Sequence, residues 1–359
     1  MNQNFSYHMP TKIVFGNNEL KNIAHYINGR KTLLVTSKGF VQRGLVDTIQ
    51  SLCDTIVAVF TDVKSHPEFK DLENGYTQIH TNDFELIVAI GGGSVLDASK
   101  YFSVYNDAKE VSFVTNLIKN QTGTKEYKLI PIIAVPTTAG TGSEITPWAT
   151  IWDMEEKKKY SLHLPELFSE LALYDPVLTL SVPKDITIQT GLDTLSHAIE
   201  SIWNKNATPI TINYAVKSTK LIMEFLPQLS ENLDNLEFRT KIMLACMYAG
   251  LAFSNTQTAI AHAMSYYITA YKGLPHGIAC SFTLPMLIDQ VIGKYDFIDK
   301  ALLEIFGELS SNPLRGLFKM LNLSTEFSDY GIDETELMQL NNSLNNNQRA
   351  NNSLVKICV

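Results

Sequence analysis

The pattern of the chain changes once, near residue 180, and that change limits the folds open to it. Before it, short runs rich in β-branched residues alternate with helical stretches: KTLLVTS at 31–37, TIVAVFTD at 55–62, ELIVAIGGG at 85–93 and KLIPIIAVPTT at 128–138. Strands that are apolar on both faces and separated by helices build a parallel sheet covered on both sides. After it, DITIQTGLDTLSHAIESIWN, NYAVKSTKLIMEFLPQL, FRTKIMLACMYAGLAFS and TAIAHAMSYYITAY are long, periodic at helical spacing and poor in strand signals. The expectation is an α/β domain over residues 1–180 followed by an all-helical domain over 181–359. The boundary is placed in YDPVLTLSVPKD, where Pro176 and Pro183 punctuate the chain. At 359 residues, 45% of them hydrophobic, there is apolar mass for two cores.

With 37 acidic against 29 basic residues and a formal charge of -8, the chain carries no Lys/Arg-rich stretch suited to a nucleic-acid backbone or an anionic membrane. MEEKKKY at 154–160 reads as a solvated turn. The start, MNQNFSYHMPTKIVFG, lacks the basic and apolar regions of a signal peptide, and no apolar run approaches the roughly 20 residues that span a bilayer, so a cytoplasmic location is expected. Cys53, Cys246, Cys280 and Cys358 are far apart and form no CxxC pair, which makes them reduced structural thiols. The Asn-rich tail NNSLNNNQRANNS at 341–353 reads as a weakly ordered surface segment.

Two loops carry the first sign of a ligand. In ELIVAIGGGSVLDASK a strand runs through Gly91, Gly92 and Gly93 to Ser94 and into a helix holding Asp97. Without Cβ atoms the turn lets a ligand approach the backbone, and the amides of the helix start attract phosphate. A bare glycine turn also serves as a tight strand-to-helix connection. The second loop, AVPTTAGTGSEIT, leaves another strand and presents Thr137, Thr138, Thr141 and Ser143. Two such loops at the ends of parallel strands suit a dinucleotide, which makes the first domain a dinucleotide-binding one. Strand KTLLVTSKG ends in Ser37 and Lys38 where an acidic residue often holds the ribose, a reading that favours NADP(H) over NAD(H) but leaves ordinary loop residues as the alternative.

The helical half carries the second sign. Asp193 and His197 stand four apart in TGLDTLSHAIESIW, on one face of a helix. Taken alone, such a pair is also a common surface hydrogen bond. His262 and His276 bracket the apolar stretch AHAMSYYITAYKGLPHG, where one imidazole has a structural explanation and two call for more. Together the four would give three neutral nitrogens and a carboxylate, a set suited to Fe(II) or Zn(II) with a position left for a substrate oxygen.

GGGSVLDASK, AVPTTAGTGSEIT, GLDTLSHAIES and the histidine pair ending in LPHG resemble, in order and from end to end, the motifs of the iron-containing (group III) alcohol dehydrogenase family. The resemblance implies an N-terminal nucleotide domain, a C-terminal helical domain, a metal in the cleft between them and a homodimer. It makes Asp193, His197, His262 and His276 the metal ligands, Gly92, Gly93, Ser94, Thr137, Thr138 and Thr141 cofactor contacts, and places Lys159 near the cofactor. Relatives using NADH often have Asp where this chain has Ser37. Within the family WNKNATP, AFSNT and HAMSYY look most like phosphonoacetaldehyde reductases, which implies conversion of phosphonoacetaldehyde to 2-hydroxyethylphosphonate. Many relatives carry a histidine where this chain has Tyr266, so proton transfer falls to Tyr266 or water. Lys159, Arg349, Asn204 and Asn206 are the candidates for holding a phosphonate; Asn204 and Asn206 also suit a helix junction.

A general short-chain alcohol or diol dehydrogenase on the same scaffold is the nearest alternative. A lyase-cyclase resembling dehydroquinate synthase is a second, against which the Asp-plus-three-His set and the low basic content of residues 185–280 count. A catalytically dead binding protein is a third, disfavoured by four intact ligands.

Overall fold

The computed structural model describes residues 4–120, 122–123, 126–156, 158–345 and 347–355; Cys358 and Lys157 lie outside them. The chain divides into two compact units. One comprises Pro10–Thr138 and Ser143–Leu178, the other runs from Thr179 onward and includes Ala139–Gly142 and the residues up to Met9.

In the first unit the strands are β1 (Lys12–Phe15), β2 (Thr32–Val35), β3 (Ile56–Phe60), β4 (Leu86–Gly91), β5 (Val104–Tyr105), β6 (Lys128–Leu129), β7 (Ile132–Pro136), β8 (Trp148–Asp153), β9 (Lys158–His163) and β10 (Leu171–Tyr174). Six form a parallel sheet in the order β1-β10-β7-β4-β2-β3. Alternation along the central strands divides the core. Leu33, Val35, Ile87, Ala89, Ile132 and Ala134 face Phe69, Leu72, Tyr76, Tyr101 and Phe102 from the helices Phe69–Ile79 and Gly93–Ser103. Leu34, Val88, Ile90, Ile133 and Val135 face Ile23, Ile27 and Ile49 on the other side. Both faces are thus covered, the arrangement that strands of continuous apolar character require.

β8 and β9 pair as an antiparallel hairpin; residues 154–156 of the charged run form a turn, while Lys158, Lys159 and Tyr160, expected in that turn, belong to β9.

The second unit is helical. The helices Lys184–Ile202, Pro209–Glu231 and Leu236–Thr256 pack against one another. Pro209 at the first turn and a reciprocal Thr208/Thr211 capping box start the second, and Asn235 caps the third by accepting from the Phe238 amide. Their burial is broad: Leu195, Ile199, Ile222, Leu226, Ala245 and Ala252 are inaccessible. The Asn-rich tail is more tightly held than its composition suggests. Asn352 donates from Nδ2 to Gln257 Oε1 and to Thr258 O, while Lys205 and Leu354 amides close backbone bonds to Asn352 O and Trp203 O. Asparagine's paired donor and acceptor make that possible, and composition alone does not reveal it. Among the described residues no helix is long and apolar enough to cross a membrane.

Candidate metal centre

The helix Lys184–Ile202 brings Asp193, His197 and Glu200 to one face, since three- and four-residue steps return to the same side. The helix Ile260–Lys272 brings His262, and the short helix beginning at His276 brings the last imidazole. That short helix lies directly against Gln189: a Cβ on Gly277 would stand 1.8 Å from the Gln189 carbonyl oxygen, so only glycine allows the approach that sets His276 beside Asp193.

Asp193 Oδ1 is the hub. It lies 3.3 Å from His262 Nε2, 3.8 Å from His276 Nε2 and 3.9 Å from His197 Nε2. The carboxylate, His197 and His262 are at most 7 % exposed at the side chain and His276 is 36 %, so the cluster opens on the His276 side. The rings are held as well as placed. His197 is stacked between Phe253 at 4.0 Å and His262 at 4.4 Å. His262 Nδ1 donates to Glu200 Oε2 at 2.6 Å, and Glu200 also accepts from the amides of Ala259 and Ala261. With the Nδ1 proton held by Glu200, Nε2 is the ring atom that faces Asp193 and, in the neutral ring, the one able to bind a metal.

The electrostatics follow. Burial works against an ionised Asp193, but the surrounding His197, His262 and His276 outweigh it and hold its pKa below the usual carboxylate range. Burial pushes His197 down to about 4, which keeps it neutral. For His262 burial opposes the cation, and Glu200 with Asp193 overrides it and raises the pKa. Asp193 pairs with no Lys or Arg among the described residues, and the groups facing it are imidazole nitrogens, which can give up their protons to a metal. A divalent ion with nitrogen and oxygen preference fits that donor set.

Two of these residues escaped the sequence reading. Glu200 sits three residues after His197, and its spacing from Asp193 was the available signal. Cys280, four after His276, brings Sγ to 3.5 Å from Asp193 Oδ1. Burial and then Asp193 hold its thiol well above the ordinary range.

Tyr266 lies parallel to the His276 ring, 7° between planes and 6.2 Å between centroids, and the Arg349 guanidinium stands 5.1 Å over Tyr266. Asn204 and Asn206 are engaged in the local junction: Asn204 Nδ2 donates to Gln257 O, its Oδ1 accepts from the Asn206 amide, and Asn206 Nδ2 donates to Thr256 O.

In the sheet unit the glycine turn ends β4, with Gly92 at the N-cap of the helix Gly93–Ser103 and no side chain capping it. A Cβ on Gly92 would lie 3.3 Å from Thr138 Oγ1, so a side chain would fill the space between the two loops. Thr137 is tied to the same turn by its amide, which donates to Gly91 O. Ser94 donates to Ser65 O, and Ser143 donates to Asp97 Oδ1, so these two hydroxyl protons serve the fold. Asp97 also accepts from the Thr150 amide and feels Lys159, whose Nζ stands 5.6 Å over Trp152. Thr141 falls in the Ala139–Gly142 strip of the helical unit. Ser37 bridges to Asp62, and Lys38 Nζ reaches Asp62 Oδ1 at 2.6 Å, so an acidic residue from just past the neighbouring strand stands beside Ser37 and Lys38.

The sheet unit and the donor cluster together define a two-part dehydrogenase scaffold, and the comparisons say which. Residues 10–176 match the iron-containing alcohol dehydrogenase family and residues 187–354 its C-terminal domain. The chain belongs to the iron-containing alcohol dehydrogenase family. It is 31% identical to the 1,3-propanediol dehydrogenase of Klebsiella pneumoniae over 85% of this chain and 80% of that one. The structure of sulfoacetaldehyde reductase from Bifidobacterium kashiwanohense in complex with NAD+ superposes with a TM-score of 0.89 at 31% identity, covering 99% of this chain and 96% of that one. The aldehyde-alcohol dehydrogenase of Streptococcus pneumoniae is 28% identical over 91% of this chain, which spans 41% of that protein's length.

Proposed function

We propose that the chain is a metal-dependent, NAD(P)-linked alcohol dehydrogenase that reduces a small aldehyde bearing an anionic end, phosphonoacetaldehyde to 2-hydroxyethylphosphonate being the preferred pair. The observation that carries the anionic end is Arg349. Its guanidinium is packed over Tyr266, whose ring is parallel to that of His276, and burial lowers its pKa while Glu200 raises it. The planar donors of this forked cation suit a phosphonate or sulfonate. The similarity to a sulfoacetaldehyde reductase supports the same class of substrate.

Asp193, His197, His262 and His276 would hold Fe(II) or Zn(II), which supplies a Lewis acid for the carbonyl oxygen. The turn at Gly91–Gly93 with Thr137 and Thr138 would cradle the dinucleotide, with Thr141, Ser143, Ser94, Asp97 and Lys159 as further proposed contacts, and the nicotinamide supplies the hydride. Glu200 keeps His262 in one tautomer and orientation. Phe253 and His262 fix the His197 plane. Arg349 anchors the anionic end and so limits the poses of the carbonyl. The product hydroxyl takes its proton from Tyr266 Oη or water. Lys38 would favour NADP(H) over NAD(H) once it exchanges Asp62 for a 2′-phosphate; both groups are exposed, so that exchange is inexpensive. A homodimer and a cytoplasmic location complete the proposal.

Steady-state assays of metal-loaded protein with NADPH and NADH, across phosphonoacetaldehyde, sulfoacetaldehyde, propanal and lactaldehyde, test it. Arg349→Gln should lower kcat/KM for the anionic aldehydes about 10- to 100-fold, the loss of one or two charge-assisted hydrogen bonds, and leave propanal unchanged. If the wild-type protein reduces phosphonoacetaldehyde no better than propanal, the anionic substrate is wrong, and a general alcohol or diol dehydrogenase, for which the 1,3-propanediol dehydrogenase likeness speaks, takes its place.

A further inference from the structure

Cys280 follows His276 as His197 follows Asp193, by four residues, so thiol and imidazole emerge one turn apart on the same side. The residue is completely buried. Its Sγ stands 3.5 Å from Asp193 Oδ1 and 3.4 Å from Gly277 O. One donor atom from each of Asp193, His262, His276 and Cys280 lies within 4.8 Å of all the others. Around a tetrahedral zinc-sized ion a sulfur ligand stands roughly 3.6 Å from its nitrogen or oxygen neighbours, which the Cys280–Asp193 pair already matches, while the wider pairs would close by about 1 Å to share one ion. Cys53 and Cys246 belong to no such group among the described residues.

We propose that Cys280 is a further ligand of the ion held by Asp193 and the histidines, bound through its thiolate. This rests on the metal reading above. On binding, the thiol proton passes to solvent and a sulfur lone pair forms the bond to the metal; no electrons change hands. A soft sulfur donor in a nitrogen and oxygen set biases selection toward Zn(II) over Fe(II).

The test replaces the metal with Co(II) and records the near-ultraviolet and visible spectra of the full-length protein, with metal content measured alongside. The expected result is a sulfur-to-cobalt charge-transfer band in the wild type that disappears in Cys280→Ser and Cys280→Ala and persists in Cys246→Ser. The variants should still bind cobalt. From an equimolar mixture of Zn(II) and Fe(II), the zinc-to-iron ratio retained should fall several-fold in Cys280→Ser. A wild-type cobalt protein without that band overturns the sulfur ligand and leaves the four-residue site standing, whether or not the variants fold. A wild-type protein that binds no cobalt overturns both.

Discussion

Each unit buries charge, and the two do so in opposite ways. In the sheet unit Lys100 is almost wholly buried, and its Nζ donates to Ser143 O at 2.5 Å, Thr146 O at 2.7 Å and Trp148 O at 2.8 Å. Glu144 beside it accepts from Tyr174, and burial pushes the lysine down to about 8 against the pull of Asp97 and Glu144. Donor meets acceptor throughout, and the network needs nothing from outside. In the helical unit Asp193 is ringed by three imidazole nitrogens and by no Lys or Arg among the described residues. A lysine whose donors all meet oxygens serves the fold, whereas a carboxylate ringed by imidazoles, each able to shed its proton, suits a metal ion.

The sharpest way to break that contrast is Asp193→Ala. It should reduce metal affinity by on the order of 10³-fold or more, since the hub of the donor set is gone. Metal content after dialysis, with circular dichroism to confirm folding, reads the effect. Lys100→Met should do the reverse. Stability to urea should fall by on the order of 3–5 kcal/mol, because the oxygens around the ammonium lose their donor, while metal affinity per folded molecule stays put. A metal-binding loss in the lysine variant would mean that the networks are not separable.

Glu200→Gln comes next. The amide keeps the shape but no longer draws on the His262 Nδ1 proton as a charge, so metal affinity should drop about 10- to 100-fold with little change in thermal stability of the loaded protein. An unchanged affinity would make Glu200 a cap for the Ala259 and Ala261 amides and nothing more. The smallest effect belongs to His80 in the sheet unit, whose Nε2 faces Phe102 O and whose ring lies 3.8 Å from Tyr76. Burial lowers its pKa from 6.5 to about 4. Between those values the unfolded chain binds a proton that the folded one refuses, so stability is full above pH 6.5 and falls as pH drops toward 4. His80→Phe should flatten that decline by about 1 kcal/mol at pH 5, after discounting for partial exposure. Urea midpoints at pH 7 and pH 5 would measure it.

Legibility followed the same physics. β2, β4 and β7 announce themselves because continuous runs of Val, Ile and Leu are what a sheet covered on both faces demands, while the edge strand β3 is apolar throughout yet leaves Val57 and Val59 exposed. Lys12–Phe15 and Leu171–Tyr174 are as short as β2 but lack its setting in a longer apolar run followed by a helical pattern, and their pairing with each other across the sheet identifies them as strands. The ligand histidines stand out because imidazoles are conspicuous in apolar helices. Glu200 and Cys280 do not: the first reads as one more helical carboxylate and the second as a buried small hydrophobe. Ser94 and Ser143 show another limit, since the sequence does not reveal that each hydroxyl proton already has an acceptor in the fold, which leaves only their oxygens to receive a further bond.

The contact between Gly277 and the Gln189 carbonyl has a practical consequence for anyone who would redesign this protein. One methyl group there would wedge the two segments apart and move the fourth imidazole off its mark without touching a single coordinating atom. Substrate scope can be altered by changing walls and rims, but the spacing of the ligands is calibrated by a hydrogen where other residues have carbon.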